Sequence, residues 1–331
     1  MESESVFLPR TPQEPPLITP LHDYPLRWSV MIPTHNCSAY LPKTLDSVLA
    51  QALPTHLMQV EVMDDASTDA DVKSLVEQIG KGRISFYRQP CHVGSLHNLN
   101  TAIQRAKGEY IHILHGDDLV LPGFYEEMEK LFSAFPEAGM AFCRYLYIDE
   151  NGHALYPAEP EADKAGLLTD WLSRIASRQR IQTPSVVVRR KVYEQIGGFY
   201  GVHYGEDWLM WIRITARFPV AYTPTIRAAY RQHQASISGR SALTGQDMHD
   251  IRKVIVWMKD WVPKDSYSAC ARQARQFYAR YAIRTAYRLW HLKAGFKPTL
   301  NQLKQAFRLH PKALLSSHAI KLYLKILCQI H

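Results

Sequence analysis

The stretch WSVMIPTHN, residues 28–36, is an apolar run that ends in a proline and three polar residues. The same pattern returns at residues 59–67, QVEVMDDAS, and at residues 109–118, EYIHILHGDD. Short continuous apolar runs are typical of strands that are buried on both faces of a sheet. We therefore predict three buried strands, each of which ends in a cluster of polar side chains.

Helical patterns separate these strands. Apolar residues recur at three- and four-residue spacing between Leu41 and Ala52, and a second pattern runs from about Ser95 to Ala106. A further short strand is predicted at Ile84–Arg88. Alternating strands and helices predict parallel pairing in a layered α/β sheet. The polar clusters would then converge on the carboxyl edge of the sheet, where such sheets bind ligands.

The remaining chain divides into a body and two terminal segments. Residues 1–27 are rich in proline and lack the basic and apolar pattern of a secretory signal, so we predict a flexible or extended lead-in. Residues 28–240 form the predicted main α/β domain, with further strands at 139–148, 186–188 and 220–223. Residues 241–331 are predicted to be a helical extension. No apolar run approaches the roughly 20 residues that span a bilayer.

The net charge of +8 is distributed unevenly along the chain. From Gly245 to His331 there are 16 Lys and Arg against 4 Asp, which leaves −4 for the first 244 residues. After Asp265 no acidic residue follows. A basic tail on an acidic body indicates an anionic partner for the tail. The five cysteines show no CxxC spacing, so we expect free thiols in a reducing cytosol.

Three acidic pairs are candidate site residues: Asp64-Asp65, Asp117-Asp118 and Glu206-Asp207. Adjacent carboxylates at the end of a buried strand are costly unless they face a cation or positive groups. Mg²⁺ and Mn²⁺ prefer such oxygen ligands. Each pair can also be explained without a ligand. Ser67 or Asp69 could begin the next helix, and Glu206-Asp207 could cap a helix that packs through its tryptophans.

Taken in order, these motifs resemble the family 2 glycosyltransferases of GT-A fold. The resemblance runs from about Trp28 to Ser238, and its motifs lie at residues 30–36, 61–69, 94–100, 108–118 and 197–207. It implies a Rossmann-like, mixed and mainly parallel sheet that is flanked by helices, with a C-terminal helical extension. It also implies transfer of a sugar from a nucleotide-sugar donor to an acceptor hydroxyl.

The resemblance implies roles for individual residues. The donor and its nucleotide would be bound by Pro33, Thr34, His35, Asn36, Asp64, Asp65, Asn100 and Asp117. Mn²⁺ or Mg²⁺ would be held by Asp118, Asp117 and His233. Asp207 would be the catalytic base, with Glu206 and Trp208 on the acceptor side. The chain departs from the family pattern at His35, often a tyrosine, at Leu99, often an arginine, and at His115, usually acidic.

These roles imply a single mechanism. The metal neutralises the diphosphate as it leaves, and Asp207 removes the proton of the acceptor hydroxyl. One displacement inverts the configuration at the anomeric carbon. A UDP-sugar is the expected donor. A glycan or lipid-linked acceptor of the cell envelope is expected. The protein is expected in the cytoplasm or peripherally on the cytoplasmic face of the inner membrane.

Two alternatives are a nucleotide-sugar-binding protein without turnover, suggested by His115 and Leu99, and a metal-dependent nucleotidyltransferase. The second lacks the glycine-rich, basic phosphate loop. The basic tail has two interpretations as well. It packs on the catalytic domain or on a second copy of the chain, or it lies on an anionic membrane surface. Nucleic acid is not an expected partner, because no aromatic and basic binding motif is found.

Overall fold

The computed structural model describes residues 11–234 and 236–328, and ten strands form one sheet within these ranges. The strands are β1 (Leu26–Thr34), β2 (Met58–Asp64), β3 (Ser85–Arg88), β4 (Gly108–Ile113), β5 (Leu119–Val120), β6 (Met140–Ile148), β7 (Ala154–Pro157), β8 (Gly166–Leu167), β9 (Val186–Arg189) and β10 (Val220–Arg231). The α-helices are α1 (Leu41–Leu49), α2 (Val72–Gly80), α3 (Ser95–Arg105), α4 (Phe124–Ala134), α5 (Trp171–Ser177), α6 (Arg190–Ile196), α7 (Glu206–Thr215), α8 (Ile237–Thr244), α9 (Gln246–Trp257), α10 (Lys264–His291), α11 (Phe296–Leu309) and α12 (Ser317–Leu327).

The strands lie in the order β3-β2-β1-β4-β9-β6-β10-β5, with β7 beside β6 and β8 beside β10. The longer pairings are parallel, namely β1 with β2 and β4, β2 with β3, and β6 with β10. The shorter β9 runs antiparallel between β4 and β6. The predicted mixed α/β sheet flanked by helices is therefore confirmed, including the strand–helix–strand order of its first half.

The sequence-based prediction of β10 was too short. The predicted strand covered residues 220–223, whereas β10 continues to Arg231 along β6. The pairing register shifts between Thr223 and Ile226 and again before Ala228. Pro224 has no N–H for the sheet ladder, so the apolar pattern breaks while the strand continues through an irregularity.

The core lies between the sheet and its helices. Buried residues of β1 such as Val30 and Ile32 belong to one apolar cluster with Leu41 and Leu45 of α1. Burial of such aliphatic side chains contributes about 1.5–3 kcal/mol each. At the start of β4 the backbone of Trp28 lies so close that a Cβ at Gly108 would be 2.4 Å from its carbonyl carbon. The pairing of β1 with β4 therefore requires glycine at that position.

The helix after β2 begins later than Ser67 or Asp69, the two residues at which the sequence analysis had allowed it to begin. Its N-cap is Asp71, whose carboxylate accepts the backbone N–H of Ser74 at 3.1 Å. Ser67 and Asp69 do not cap it. Both residues bond instead to the loop that follows β1, through the N–H groups of Asn36 and Ser38.

The chain forms two compact units that interleave in sequence. The first contains the whole sheet and comprises Met1–Thr169, Ile181–Gly201 and Arg217–Gln232. The second is helical and comprises Asp170–Arg180, Val202–Ala216 and His233–His331. The division predicted at residue 240 stays a prediction, but α5 and α7 group with the C-terminal helices.

The described part of the lead-in, residues 11–25, is an extended segment bound to the sheet unit. The N–H groups of Gly198 and Gly201 donate to the carbonyl oxygens of Pro16 and Pro12, each at 2.8 Å. Ile18 is buried, and the buried guanidinium of Arg190 donates to the carbonyl of Thr19 at 3.0 Å. Residues 1–10 of the predicted lead-in lie outside the described residues.

The C-terminal region is helical, as predicted, from α8 to α12. The last three residues of the predicted extension, 329–331, lie outside the described residues. Among the residues that the structure describes, none of the helices has the length and apolar character needed to cross a bilayer.

Candidate active site

The last residues of β1 lie between the loops that follow β2 and β4. The carbonyl oxygen of Thr34 accepts the N–H of Asp65 at 2.8 Å, and that of Pro33 accepts the N–H of Gly116 at 3.1 Å. Both bonds continue the parallel ladders beyond the strands. The three predicted polar clusters therefore meet at the carboxyl edge of the sheet.

Asn36 joins the first two loops. It adopts a left-handed backbone with φ of 49°, a conformation that asparagine tolerates better than most residues. Its side-chain Oδ1 accepts the N–H of Thr68 at 2.7 Å, and its own N–H donates to Ser67 Oγ at 2.9 Å. Asn36 was predicted to contact the donor, and these bonds show that it also fixes the loop.

Asp64 and Asp65 have different surroundings. The carboxylate of Asp64 is fully buried, accepts the N–H of Ser67 at 3.1 Å and pairs with the guanidinium of Arg88. Arg88 also donates to the carbonyl oxygen of Ser67 at 2.9 Å. Both oxygens of Asp64 are thus occupied inside the chain. This arrangement supports a role for Asp64 in shaping the loop.

Asp65 lies at the N-terminal end of α3. Its two carboxylate oxygens accept the N–H groups of Val93 and Gly94 at 2.7 and 2.9 Å. A carboxylate is favoured there, because the free N–H groups of a helix N-terminus carry positive partial charge. His92 Nδ1 lies 2.9 Å from Asp65 Oδ2, and the rings of His92 and His35 stack at 4.1 Å.

His35 donates from Nδ1 to the backbone carbonyl of Asp65 at 2.7 Å. The imidazole that replaces the family's usual aromatic ring is therefore tied to the acidic residue that the resemblance assigns to the nucleotide. His92 completes this group and was not among the predicted site residues. The sequence analysis identified only the motif at residues 94–100, which begins two residues after His92.

Asn100 binds protein backbone on both sides of its amide. Its Nδ2 donates to the carbonyl oxygen of Phe199 at 2.9 Å, and its Oδ1 accepts the N–H of Phe199 at 2.7 Å. A Cβ at Gly198 would lie 2.2 Å from that same Oδ1. Asn100 thus holds the Gly197-Gly198-Phe199 motif in place, and glycine at 198 makes the approach feasible. Its predicted contact with the donor stays a prediction.

His115, Asp117 and Asp118 form an acidic group after β4. One ligand atom from each residue lies within 4.8 Å of the others, and His115 Nδ1 is 3.7 Å from Asp118 Oδ2. Burial, and then the nearby Asp117, raises the pKa of Asp118 well above its usual value. Burial lowers the pKa of His115, so its imidazole is neutral and able to act as a ligand.

This acidic group fits a divalent cation. Asp118 Oδ2 is buried and has no hydrogen-bond partner among the described residues, whereas Oδ1 accepts the N–H of Arg231 at 2.8 Å. An unpaired buried carboxylate oxygen is costly, and a cation would relieve that cost. Two carboxylates and one imidazole are a suitable ligand set for Mn²⁺, which accepts nitrogen more readily than Mg²⁺ does.

Gly116 is required inside this group. A Cβ there would lie 2.7 Å from Thr34 Oγ1 and 2.8 Å from Cys37 Sγ. Thr44, at the start of α1, donates from Oγ1 to the carbonyl of Asp118 at 2.8 Å. The turn that presents the acidic group is thereby packed directly against the loop after β1.

Arg231 supports the acidic group from the end of β10. Its Nε donates to the carbonyl oxygen of Asp117 at 2.7 Å, and Nη1 donates to that of Glu150 at 3.0 Å. The side chain is buried, and Nη2 has no hydrogen-bond partner among the described residues. Arg231 was not among the predicted site residues. In the structure its positive charge acts on the Asp118 carboxyl group and lowers the pKa of that group, against the larger effect of burial.

The Glu206-Asp207 pair opens α7 in the helical unit. Asp207 Oδ2 accepts Nε2–H of Gln179 at 2.7 Å, and Oδ1 accepts the N–H of Trp208 at 2.6 Å. Burial raises the pKa of Asp207 to about 6, against the opposing effect of both hydrogen bonds. Burial, and then Asp207, raises the pKa of Glu206 well above its usual value. Gln179 was not predicted, because no pattern links it to residue 207.

Trp208 is fully buried in the helical unit. Its Nε1–H donates to the carbonyl of Ile175 at 2.6 Å, and its ring packs against Tyr278 at 5.1 Å. These contacts make Trp208 a packing residue of the helical unit, and its expected place on the acceptor side stays a prediction. His233 belongs to the helical unit, and its predicted role at the metal stays a prediction.

Comparisons with known proteins agree with this architecture. The sequence model named "Glycosyl transferase family 2" matches residues 29–197, which is slightly more than half of the chain. An uncharacterized glycosyltransferase of Methanocaldococcus jannaschii is 26% identical over 195 residues. These residues are 59% of the chain and 66% of the relative.

Two solved structures share the fold. S. aureus TarS, solved with UDP-GlcNAc, is 16% identical with a TM-score of 0.66, and the match covers 91% of this chain and 90% of that structure. A mannosyltransferase from Pyrobaculum calidifontis, solved with GDP-Man and Mn²⁺, is 18% identical with a TM-score of 0.55. That match covers 96% of this chain and 92% of the other.

The two bonds of Asn100 predict a stability effect. Replacing Asn100 with alanine leaves the buried N–H and C=O of Phe199 unpaired, so the free energy of unfolding should fall by about 2–4 kcal/mol. Urea denaturation measures this change. Asn151→Ala, at an exposed turn, is the control and should change stability by less than about 0.5 kcal/mol. Unchanged stability of Asn100→Ala with weakened donor binding would contradict the positioning role.

Proposed function

The chain belongs to glycosyl transferase family 2, and from this membership we propose that it is an inverting glycosyltransferase. It moves a sugar from a nucleoside-diphosphate sugar to an acceptor hydroxyl. One observation carries the proposal: the end of β1 is hydrogen-bonded on one side to Asp65 and on the other to Gly116, the glycine of the acidic group. This edge joins a nucleotide-recognition group to a cation-binding group, and a sugar diphosphate needs both.

The donor is a UDP-sugar in this proposal, with a hexosyl or N-acetylhexosaminyl group. The Asp65 carboxylate, with His35 and His92 beside it, supports recognition of a nucleobase by hydrogen bonds and stacking. Binding of UDP-GlcNAc by TarS, which has the same fold, favours UDP. The GDP-Man complex of the mannosyltransferase makes GDP the second nucleotide to be tested.

Asp118, Asp117 and His115 would hold the cation, which is Mn²⁺ in preference to Mg²⁺. When bound, the cation supplies positive charge that stabilises the diphosphate leaving group. Arg231 keeps Asp118 oriented through its backbone N–H and adds a fixed positive charge. His115 occupies the position of the family's usual acidic residue, and its imidazole keeps a cation ligand at that position.

Asp207 is the proposed base. A carboxylate with a pKa of about 6 is ionised at neutral pH and still basic enough to accept a proton from a hydroxyl. Gln179 holds its Oδ2, which leaves the carboxylate oriented. Glu206, whose pKa is raised by burial and then by Asp207, is a candidate contact on the acceptor side.

The acceptor is proposed to be a glycan or a lipid-linked glycan of the cell envelope, and the enzyme is proposed to act in the bacterial cytoplasm. All five cysteines are unpaired in the structure, which agrees with a reducing compartment. A nucleotide-sugar-binding protein without turnover is the alternative. The carboxylate of Asp207, which Gln179 holds in one orientation, favours the enzyme over that alternative.

Incubation with UDP-, GDP- and other nucleotide sugars, a glycan acceptor and Mn²⁺ tests the function. We expect release of nucleoside diphosphate together with a new glycoside. Asp207→Asn should lower turnover by about 10²-fold or more while the affinity for the nucleotide is kept. Near-normal turnover of this variant would refute the base. Binding of donor without product would favour the alternative, and release of pyrophosphate would indicate nucleotidyl transfer.

The raised pKa of Asp207 predicts the pH dependence of kcat/KM. The base must be ionised, so kcat/KM should rise about tenfold per pH unit below the pKa and level off above about 6. Gln179→Leu removes a hydrogen bond that stabilises the carboxylate, and this acid limb should therefore move to higher pH. Gln273→Leu, which removes a bond to Ser177 on α5, is the control and should leave the limb in place. An unmoved limb in Gln179→Leu would contradict the assignment.

Cation binding can be measured apart from turnover, by the loss of the free Mn²⁺ signal in electron paramagnetic resonance. Asp118→Asn and His115→Ala should each weaken Mn²⁺ binding by at least about tenfold. Asp163→Asn, at an exposed site, is the control and should bind as the original chain does. Thermal melting of each variant verifies folding. Equal Mn²⁺ affinity in all four proteins would exclude this ligand set.

A further inference from the structure

Helix α12 carries an exposed apolar stripe. Ile320, Tyr323, Leu324 and Leu327 follow one another at spacings of three, one and three residues, which places them on one helix face. Their exposed fractions range from 37% to 78%. Four large apolar residues in a row on a surface helix are unusual for a face that meets only water.

The stripe is not the face through which α12 packs on its own unit. Ala319 and Leu322 on the other face are buried. Lys325 lies beside that face, where its Nζ is 2.9 Å from His291 Nε2 of α10. The N-terminus of α12 is capped by Ser316, whose Oγ accepts the N–H of Ala319 at 3.4 Å. The helix is therefore held in place while its second apolar face remains exposed.

The surroundings of the stripe are apolar and positive. Leu315, directly before the helix, is 77% exposed, and Phe307 of α11 is 55% exposed. Lys312 and Lys321 are exposed on the same segment. Between residues 266 and 331 the sequence has twelve Lys and Arg and no acidic residue. No carboxylate of this segment can therefore repel an anionic surface.

We propose that α12, with Leu315 before it, lies in the interface of an anionic lipid bilayer. The apolar stripe would enter the boundary between headgroups and acyl chains, and Lys312 and Lys321 would contact the anionic headgroups. A second copy of the chain fits less well, because a symmetric contact would oppose one positive surface to another. This membrane surface uses residues apart from those of the proposed active site.

Flotation of the full chain with lipid vesicles tests the proposal. The chain should bind vesicles of phosphatidylcholine with phosphatidylglycerol, and bind far less to phosphatidylcholine alone. Leu324→Gln combined with Leu327→Gln should lower the partition coefficient by at least about tenfold, because two apolar side chains are lost from the interface. Lys312→Gln and Lys321→Gln should each lower it by about fivefold at low salt.

Leu17→Gln combined with Leu155→Gln is the matched control, since both leucines are exposed in the sheet unit. This variant should bind vesicles as the original chain does. All variants replace exposed residues, and circular dichroism confirms their folding. Failure to bind anionic vesicles would overturn the proposal, as would unchanged binding of the α12 double variant. A lipid-free dimer that the α12 variant dissociates would assign the stripe to a second copy.

Discussion

The parallel register of β1 with β2 and β4 is the constraint on which the site depends. In that register the three strands end at one edge, and the backbone bonds Thr34–Asp65 and Pro33–Gly116 carry the pairing into the loops. A slip of one strand by a single residue would turn its carboxylates to the other face of the sheet. The position of the site is therefore determined first by strand pairing and only then by individual side chains. Gly108 and Gly116 make the pairing possible. A Cβ atom at either position would lie less than 3 Å from backbone or side-chain atoms of the neighbouring segment.

Much of this arrangement follows from the sequence because its causes are local. The apolar runs of β1, β2 and β4 and the helical spacing after them are determined by burial over a few residues. The meeting of Asp65, Asp117 and Asp118 at one edge follows from parallel pairing alone. The order of motifs then indicates the family. The prediction was weakest where regular patterns break, as in β10 at Pro224.

Individual roles could not be obtained in the same way, since they depend on contacts between distant segments. Asp64 and Asp65 are adjacent in sequence, yet their carboxylates have different partners. Asp64 pairs with the guanidinium of Arg88, whereas Asp65 accepts backbone N–H groups just before α3. Asn100 fits a family position. Only the structure shows that its side-chain nitrogen and oxygen both bond to the backbone of Phe199. Gln179 and Arg231 hold the candidate base and the candidate cation ligand from positions that no spacing rule connects to them.

The extended lead-in has a consequence for how this protein can be shortened or recombined. The motifs begin near Trp28, so a gene fusion or an engineered enzyme would naturally start there. Such a cut would remove Thr19 from the buried guanidinium of Arg190 and Pro16 from the N–H of Gly198. A buried cation and a buried amide would both lose partners that water cannot easily replace. The portable unit of this enzyme therefore starts well upstream of its first recognisable motif, and chimeras should be joined before residue 11.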